Sequence, residues 1–187
     1  TPSGKTLALR PEGTAGAVRF AAGLGEEGVN ARLFYMGPMF RRERPQAGRK
    51  RQFHQVGIEA LGPPNPAADA EAIALQVDLL AAWGLDGAAV RLNTIGRPDE
   101  RPAVLAGLRD AIRPRLGELP EDARERFHGN VLRLLDSKDE TVRRVLEDVP
   151  PVTAFMDGET RRYLDEVRSL LRDVGIDAKE DSRLVRG

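Results

Sequence analysis

The chain has 187 residues, 41% hydrophobic and 31% charged, with 29 basic and 29 acidic side chains and no cysteine. Zero formal charge excludes a chain that traps nucleic acid electrostatically as a whole, so any RNA contact has to come from a local patch. The lack of cysteine excludes disulfides and thiolate metal sites and suits a cytoplasmic setting, and no apolar run approaches the ~18 residues of a membrane span.

In chain order, Thr6 to Arg10 predicts a short strand. Helical spacing follows from about Thr14, with Ala15, Val18 and Ala22 as apolar positions and glycines ending the helix near Gly23 to Gly28. Leu33 to Arg42 predicts a strand and Gln52 to Leu61 its antiparallel partner, after which Pro63, Pro64 and Pro66 break the sheet. The next helix covers about Ala67 to Trp83. Ile73, Val77 and Leu80 fall at helical spacing, Asp69 and Glu71 suit the first turn, and Gly84 suits the C-terminal cap. Val90 to Ile95 predicts another strand.

From Arg97 the pattern changes to short helices separated by proline and glycine. Ser137 and Glu140 have capping-box spacing ahead of Val142, Val145 and Leu146. A last helix runs from about Glu159 to Val174, with Tyr163, Val167, Leu170 and Leu171 on one stripe and Gly175 beyond it; Lys179 to Val185 returns to strand. The expected fold is therefore α+β, with a helical insertion between two strands of one antiparallel sheet. Its segments are a core with the hairpin (1–97), a helical insertion domain (98–175) and a return strand (176–187).

The most informative stretch is Gly37 to Gly62, GPMFRRERPQAGRKRQFHQVGIEALG. It joins an apolar strand to a second, alternating strand through a cluster of Arg41, Arg42, Arg44, Arg49, Lys50 and Arg51. Strand side chains alternate faces, so Phe53, Gln55, Gly57 and Glu59 share one face and His54, Val56, Ile58 and Ala60 the other. The second face reads as core. The first carries an aromatic plate, an amide, a glycine gap and a carboxylate, a set that is costly to bury unpaired. On the first strand Met39, Arg41 and Glu43 fall on one side. A generic arginine-rich hairpin is a solvated loop, and a strand glutamate commonly pairs with a structural arginine. Here Arg41 ends an apolar strand, where packing holds it, and a planar guanidinium matches phosphate oxygens with two parallel bonds. Glu59, beside a glycine and on the Gln55 face, suits a cationic or N–H-bearing ligand.

This segment resembles motif 2 of class II aminoacyl-tRNA synthetases, in the form used by histidyl-tRNA synthetases. Three further segments agree in order and spacing: Leu9-Arg10-Pro11-Glu12-Gly13-Thr14, Leu134-Leu135-Asp136-Ser137-Lys138 and Arg183-Leu184-Val185-Arg186-Gly187. The resemblance covers essentially the whole chain. It implies a class II synthetase-like antiparallel sheet flanked by helices, incomplete at both ends in this chain, and a helical insertion near the tRNA acceptor end. It implies that Arg41 binds the ATP α-phosphate, Glu43 accepts from the adenine amino group, Arg49 reaches the γ-phosphate and Phe53 stacks on adenine. Glu12, Thr14 and Gln55 match positions that hold the ammonium of histidine, Glu59 matches the imidazole-recognising position, and Arg186 meets the carboxylate and α-phosphate. Arg41 and Arg186 are thus the implied catalytic pair. Arg42, Arg44 and Arg51 suit either RNA or solvent. The chain departs from the family in having Lys50 where an aromatic residue is common.

The implied activity is histidine–tRNA ligation: ATP with Mg²⁺ converts histidine to histidyl-adenylate, and the histidyl group passes to histidine tRNA. Catalysis would be positioning and charge stabilisation, with no covalent nucleophile. The resemblance further implies a homodimer in the full-length protein, no membrane association, and that this chain alone is inactive. The rival is the synthetase-like regulatory subunit of ATP phosphoribosyltransferase; Arg41, Glu43, Arg49 and Glu59 together favour the synthetase, since a histidine sensor does not need the ATP grip. An RNA-binding module without chemistry fits poorly with zero net charge and few aromatic platforms. Two other readings fail. Ser3-Gly4-Lys5-Thr6 resembles the tail of a P-loop, but Pro11 and Gly13 leave no room for the long helix that motif requires. His54 and His128 are too far apart in sequence, and too few, for a zinc site, so no metal site of the chain's own is expected.

Overall fold

The computed structural model describes residues 4, 6–44 and 46–185. Contacts divide the chain into two units, Thr1–Ala68 and Asp69–Gly187.

The first unit is built on a hairpin. Strand β1 (Arg32–Phe40) pairs antiparallel with β2 (Gln52–Ala60) in a register running from Arg32 opposite Ala60 to Phe40 opposite Gln52. Both strands lie within two residues of the predicted ones. Gln46 and Arg49 close the tip with two backbone hydrogen bonds of 2.9 and 3.3 Å, and Gly48 between them sits at φ +77°, a conformation that glycine adopts without steric cost. Helix α1 (Thr14–Gly23) follows a proline–glycine stretch and stops at glycines, as expected.

Three expectations about this unit are corrected. Residues 6–10 form no strand; the Phe40 N–H donates to the Arg10 carbonyl at 2.9 Å, and one such bond does not make a ladder. The inward side of α1 carries Thr14, Ala17 and Ala21, whereas Ala15, Val18 and Ala22 are exposed. The sheet face read as core is open: His54 and Ala60 are exposed, Val56 and Ile58 are 47% and 41% exposed, and their neighbours Phe34 and Met36 are 80% and 75% exposed. Alternation separates two faces but does not say which one is covered. Within this unit the 10–14 segment and α1 pack over the Phe53–Glu59 face instead.

Helix α2 (Pro66–Ala82) opens at the boundary between the units and is closed by Gly84 at φ +77°. In the second unit β3 (Val90–Leu92) pairs with β4 (Ala178–Glu180) in parallel, with Val90 opposite Ala178. Both strands are shorter than predicted, and their relation is parallel where an antiparallel sheet was expected. Parallel neighbours require a long crossover, and the helices between them supply it. These are α3 (Arg101–Ile112), α4 (Glu121–His128), α5 (Leu132–Leu135), α6 (Glu140–Leu146) and α7 (Gly158–Asp173).

Val104, Leu108 and Ile112 of α3 pack with Phe127, Leu134, Val142 and Val145 in one core, while Val167 and Leu171 of α7 join Ala70 and Ala178 in a second. The Leu134–Lys138 segment is therefore partly a core element: Leu134, Leu135 and Ser137 are buried.

The predicted capping box at Ser137 is replaced by a cap two residues later. The Asp139 carboxylate accepts from the Val142 N–H at 3.0 Å and caps α6, while the Ser137 hydroxyl accepts from the Asp139 N–H at 3.3 Å. Both residue types cap well, and a charged acceptor at the helix start gains more from the macrodipole. Asp139→Ala is expected to lower stability by about 1 kcal/mol and Ser137→Ala by less, read from urea-unfolding midpoints.

Asp157 caps α7 by accepting from the Glu159 and Thr160 N–H groups at 3.0 and 2.8 Å, and its other oxygen meets Arg97 Nη2 at 2.7 Å. Glu100 braces the same turn, accepting from the Arg97 and Asp157 N–H groups at 2.9 and 3.1 Å and from the Thr160 hydroxyl. The Arg97 hydrogen bond, then the backbone amides, hold the Asp157 carboxyl well below the usual carboxylate range. A depressed carboxylate stabilises the fold above its unfolded pKa, about 3.9, and that contribution is lost as pH falls through the folded value. Asp157→Asn is therefore expected to flatten the fall in melting temperature below about pH 4. An unchanged acid limb would remove Asp157 from the pH response.

Candidate functional site

The register of the hairpin assembles the site. Leu33, Tyr35, Gly37 and Met39 lie opposite Glu59, Gly57, Gln55 and Phe53, so these eight positions form one face. On β2 its order is Phe53, Gln55, Gly57, Glu59, all half-buried, as the alternation predicts. Met39 is fully buried and underlies the Phe53 end.

Arg41 stands just past β1 at that end. Its backbone N–H donates to the Arg51 carbonyl and its Nε to the Pro11 carbonyl, both at 2.9 Å, and its guanidinium lies 5.0 Å from the centre of the Phe53 ring. The side chain is exposed, so a hydrogen bond and a cation–π contact hold it, in place of the packing expected. Among the described residues it has no carboxylate partner.

Glu43 and Arg49 pair with each other at 3.7 Å, with side chains 37% and 63% exposed. Arg41, Glu43, Gly48, Arg49, Lys50 and Phe53 line one concavity of about 340 Å³ at the hairpin tip. The four residues assigned to ATP are thus brought together, and Lys50 joins them.

The histidine-assigned residues come from two elements. Gln55 and Glu59 project from β2, four residues apart or roughly 13 Å between Cα atoms. The Gln55 Oε1 atom is buried and accepts no hydrogen bond. Glu59 likewise has no partner among the described residues. A buried, unpaired acceptor costs about 1–3 kcal/mol, which a ligand N–H relieves. Glu12 arrives from the loop before α1 and Thr14 is the first residue of that helix; the Thr14 hydroxyl lies 3.4 Å from that of Tyr35. Glu12 is exposed and lines a separate, larger groove of about 630 Å³ along the outer edge of β1, together with Arg10, Gly13 and Tyr35. Arg186, Ser3 and Lys5 lie outside the described residues.

The motifs assign no role to two contributors. Arg10 donates from Nε to the Pro38 carbonyl at 2.9 Å, and its guanidinium lies over Gly37, where a Cβ would come within 2.7 Å. Tyr35 fills the space that Gly57 leaves, so the expected gap on this face is occupied. The signal for Tyr35 was present in the hairpin register, which sets it opposite Gly57.

The family described as Histidyl-tRNA synthetase matches residues 1–99. The chain is 44% identical over 185 residues to a histidine–tRNA ligase of Thermosynechococcus vestitus, covering 98% of this chain and 43% of the relative. With that of Ligilactobacillus salivarius the identity is 43%, over 97% of this chain and 43% of the relative. The crystal structure of apo histidyl-tRNA synthetase from S. aureus superposes with a TM-score of 0.67 at 32% identity, covering 95% of this chain and 42% of that one. The chain therefore has the α+β, class II synthetase-like fold expected of it and spans about 43% of the length of the curated relatives it matches. The match includes the whole hairpin and takes in 99 of the 187 residues, so the chain belongs to the histidyl-tRNA synthetase family.

Proposed function

We propose that this chain carries the histidine and ATP sites of a histidine–tRNA ligase. The observation that carries the reading is the row on one hairpin face: a buried, unpaired Gln55 oxygen and an unpaired Glu59 carboxylate at one end, and Arg41 over Phe53 at the other. The first pair suits a small cation with an N–H ring; the second suits a phosphate beside a purine.

Histidine binds with its ammonium toward Glu12, Thr14 and Gln55 and its imidazole toward Glu59. ATP binds with adenine on Phe53, its amino group toward Glu43, the α-phosphate at Arg41 and the γ-phosphate at Arg49. ATP exchanges two weak contacts for stronger ones. The exposed Glu43–Arg49 pair is worth about 0–1 kcal/mol, and the exposed cation–π contact about 0.5–1 kcal/mol, less than charge-assisted bonds to phosphate. Glu43 is the only carboxylate lining the tip concavity among the described residues, so Mg²⁺ enters as part of the nucleotide substrate.

The reaction needs no nucleophile from the chain. The histidine carboxylate attacks the α-phosphorus, pyrophosphate leaves, and Arg41, joined by Arg186, offsets the charge that develops. A hydroxyl of the tRNA's terminal adenosine then takes the histidyl group from the adenylate and AMP leaves, a step served by the helical residues 98–175 as an insertion between the core segments 1–97 and 176–187. Among the described residues no helix is long and apolar enough to cross a membrane. Charging tRNA is work for the cytoplasm, and that is the location proposed. The test is exchange of pyrophosphate into ATP by the protein that contains this chain, with each amino acid in turn. Exchange should require histidine; exchange driven by another amino acid, or none at all, would contradict the reading.

A further inference from the structure

We propose that Tyr35 is the positioning residue that sets the width, and so the selectivity, of the histidine site; the inference rests on the function proposed above. The phenol ring is wedged between two glycines from different elements. A Cβ on Gly13, at the start of α1, would lie 2.2 Å from Tyr35 Cε2, and one on Gly57, in β2, would lie 2.2 Å from Cζ and 2.3 Å from the hydroxyl oxygen. Neither distance is tolerable for real carbon atoms.

Backbone conformation does not demand glycine at either place. Gly13 has φ −94° and ψ −24°, open to any residue, and Gly57 is not among the glycines with positive φ. Both are glycine because the ring passes there. Tyr35 therefore fills the space between the Glu12–Thr14 segment and the strand bearing Gln55 and Glu59, meeting each at a glycine.

In the binding mode proposed above, that segment and that strand supply the two halves of the histidine site, and the ring thickness fixes how far apart they stand. Gly57 lies between Gln55 and Glu59 on the same face, so the ring also separates the amide from the carboxylate. A spacer of this kind matters through its rigidity, since a ring has two side-chain torsions and no thinner rotamer. The hydroxyl matters little: its contact with Thr14 is long, at 3.4 Å.

Affinities for histidine and for ATP, measured separately by calorimetry on the protein that contains this chain, test the idea. Wild-type histidine binding has to be present first; its absence would sink the functional reading and not this one alone. Tyr35→Leu, which thins the spacer, and Gly57→Ala, which pushes the ring away, are each expected to weaken histidine at least tenfold with ATP changed less than threefold. Tyr35→Phe keeps the ring and should leave histidine within threefold. Histidine affinity within threefold in Tyr35→Leu or Gly57→Ala, or equal losses for both ligands, would overturn the proposal. So would a tenfold loss in Tyr35→Phe, which would move the role to the hydroxyl. If Tyr35→Leu does not fold, Gly57→Ala and Tyr35→Phe decide by the same limits.

Discussion

Replacing Arg41 with alanine is expected to cost roughly 2–4 kcal/mol of transition-state stabilisation in adenylate formation, a fall of about 30- to 900-fold in histidine-dependent pyrophosphate exchange. The expectation comes from how the side chain is held. Its Nε is committed to the Pro11 carbonyl and its face to Phe53, which fixes the plane of the guanidinium at the tip concavity. No carboxylate neutralises it among the described residues, so its charge is available to a phosphate. Alanine removes the charge and also frees the Pro11 carbonyl, one of the ties between the loop before α1 and the hairpin. The two effects separate with Arg41→Lys. Lysine keeps a charge but cannot supply the planar fork, so exchange should remain well below wild type. Exchange within threefold of wild type for Arg41→Ala would remove the residue from the mechanism.

Glu59→Gln is expected to weaken histidine by about 1.5–3 kcal/mol, roughly 10- to 150-fold, and ATP by less than threefold. Glutamine matches the shape of glutamate but loses the charge and brings a donor where the pocket offers an acceptor. Glu59 lies six residues along the strand from Phe53, so the nucleotide should not register the change. Calorimetry with each ligand alone distinguishes the outcomes. Equal losses for both ligands would indicate a structural fault in the hairpin, and no loss for histidine would return Glu59 to an ordinary surface carboxylate.

The hairpin was legible because two local rules agree on it. Period-two alternation over Gln52–Leu61 sorts Phe53, Gln55, Gly57 and Glu59 onto one face, and the glycine-bearing tip sets the register that aligns them with Met39 and Tyr35. Helices α2 and α7 were legible for a similar reason, since acidic first turns and closing glycines mark their ends. What failed was decided at longer range. Nothing local shows that Val56 and Ile58 face outward, because an apolar face states a preference without naming what covers it. The parallel relation of β3 and β4 depends on a crossover rather than on either strand's residues. The capping error at Ser137 arose from two good caps within three residues, of which the charged Asp139 takes the helix start. Tyr35 was missed because Gly57 was read as a place for a ligand. A missing side chain makes room equally well for a neighbour.

The central claim is that one face of one hairpin holds both substrates in line. The most direct measurement is a crystal structure of the protein that contains this chain with ATP and histidinol, which lacks the reacting carboxylate. The account predicts the imidazole within hydrogen-bond distance of the Glu59 carboxylate and the ammonium on Gln55 Oε1. It also predicts adenine on Phe53 and the α-phosphate on Arg41, with the Glu43–Arg49 pair opened. Either ligand bound away from the Phe53–Glu59 face, or adenine lying where histidine is expected, would contradict it.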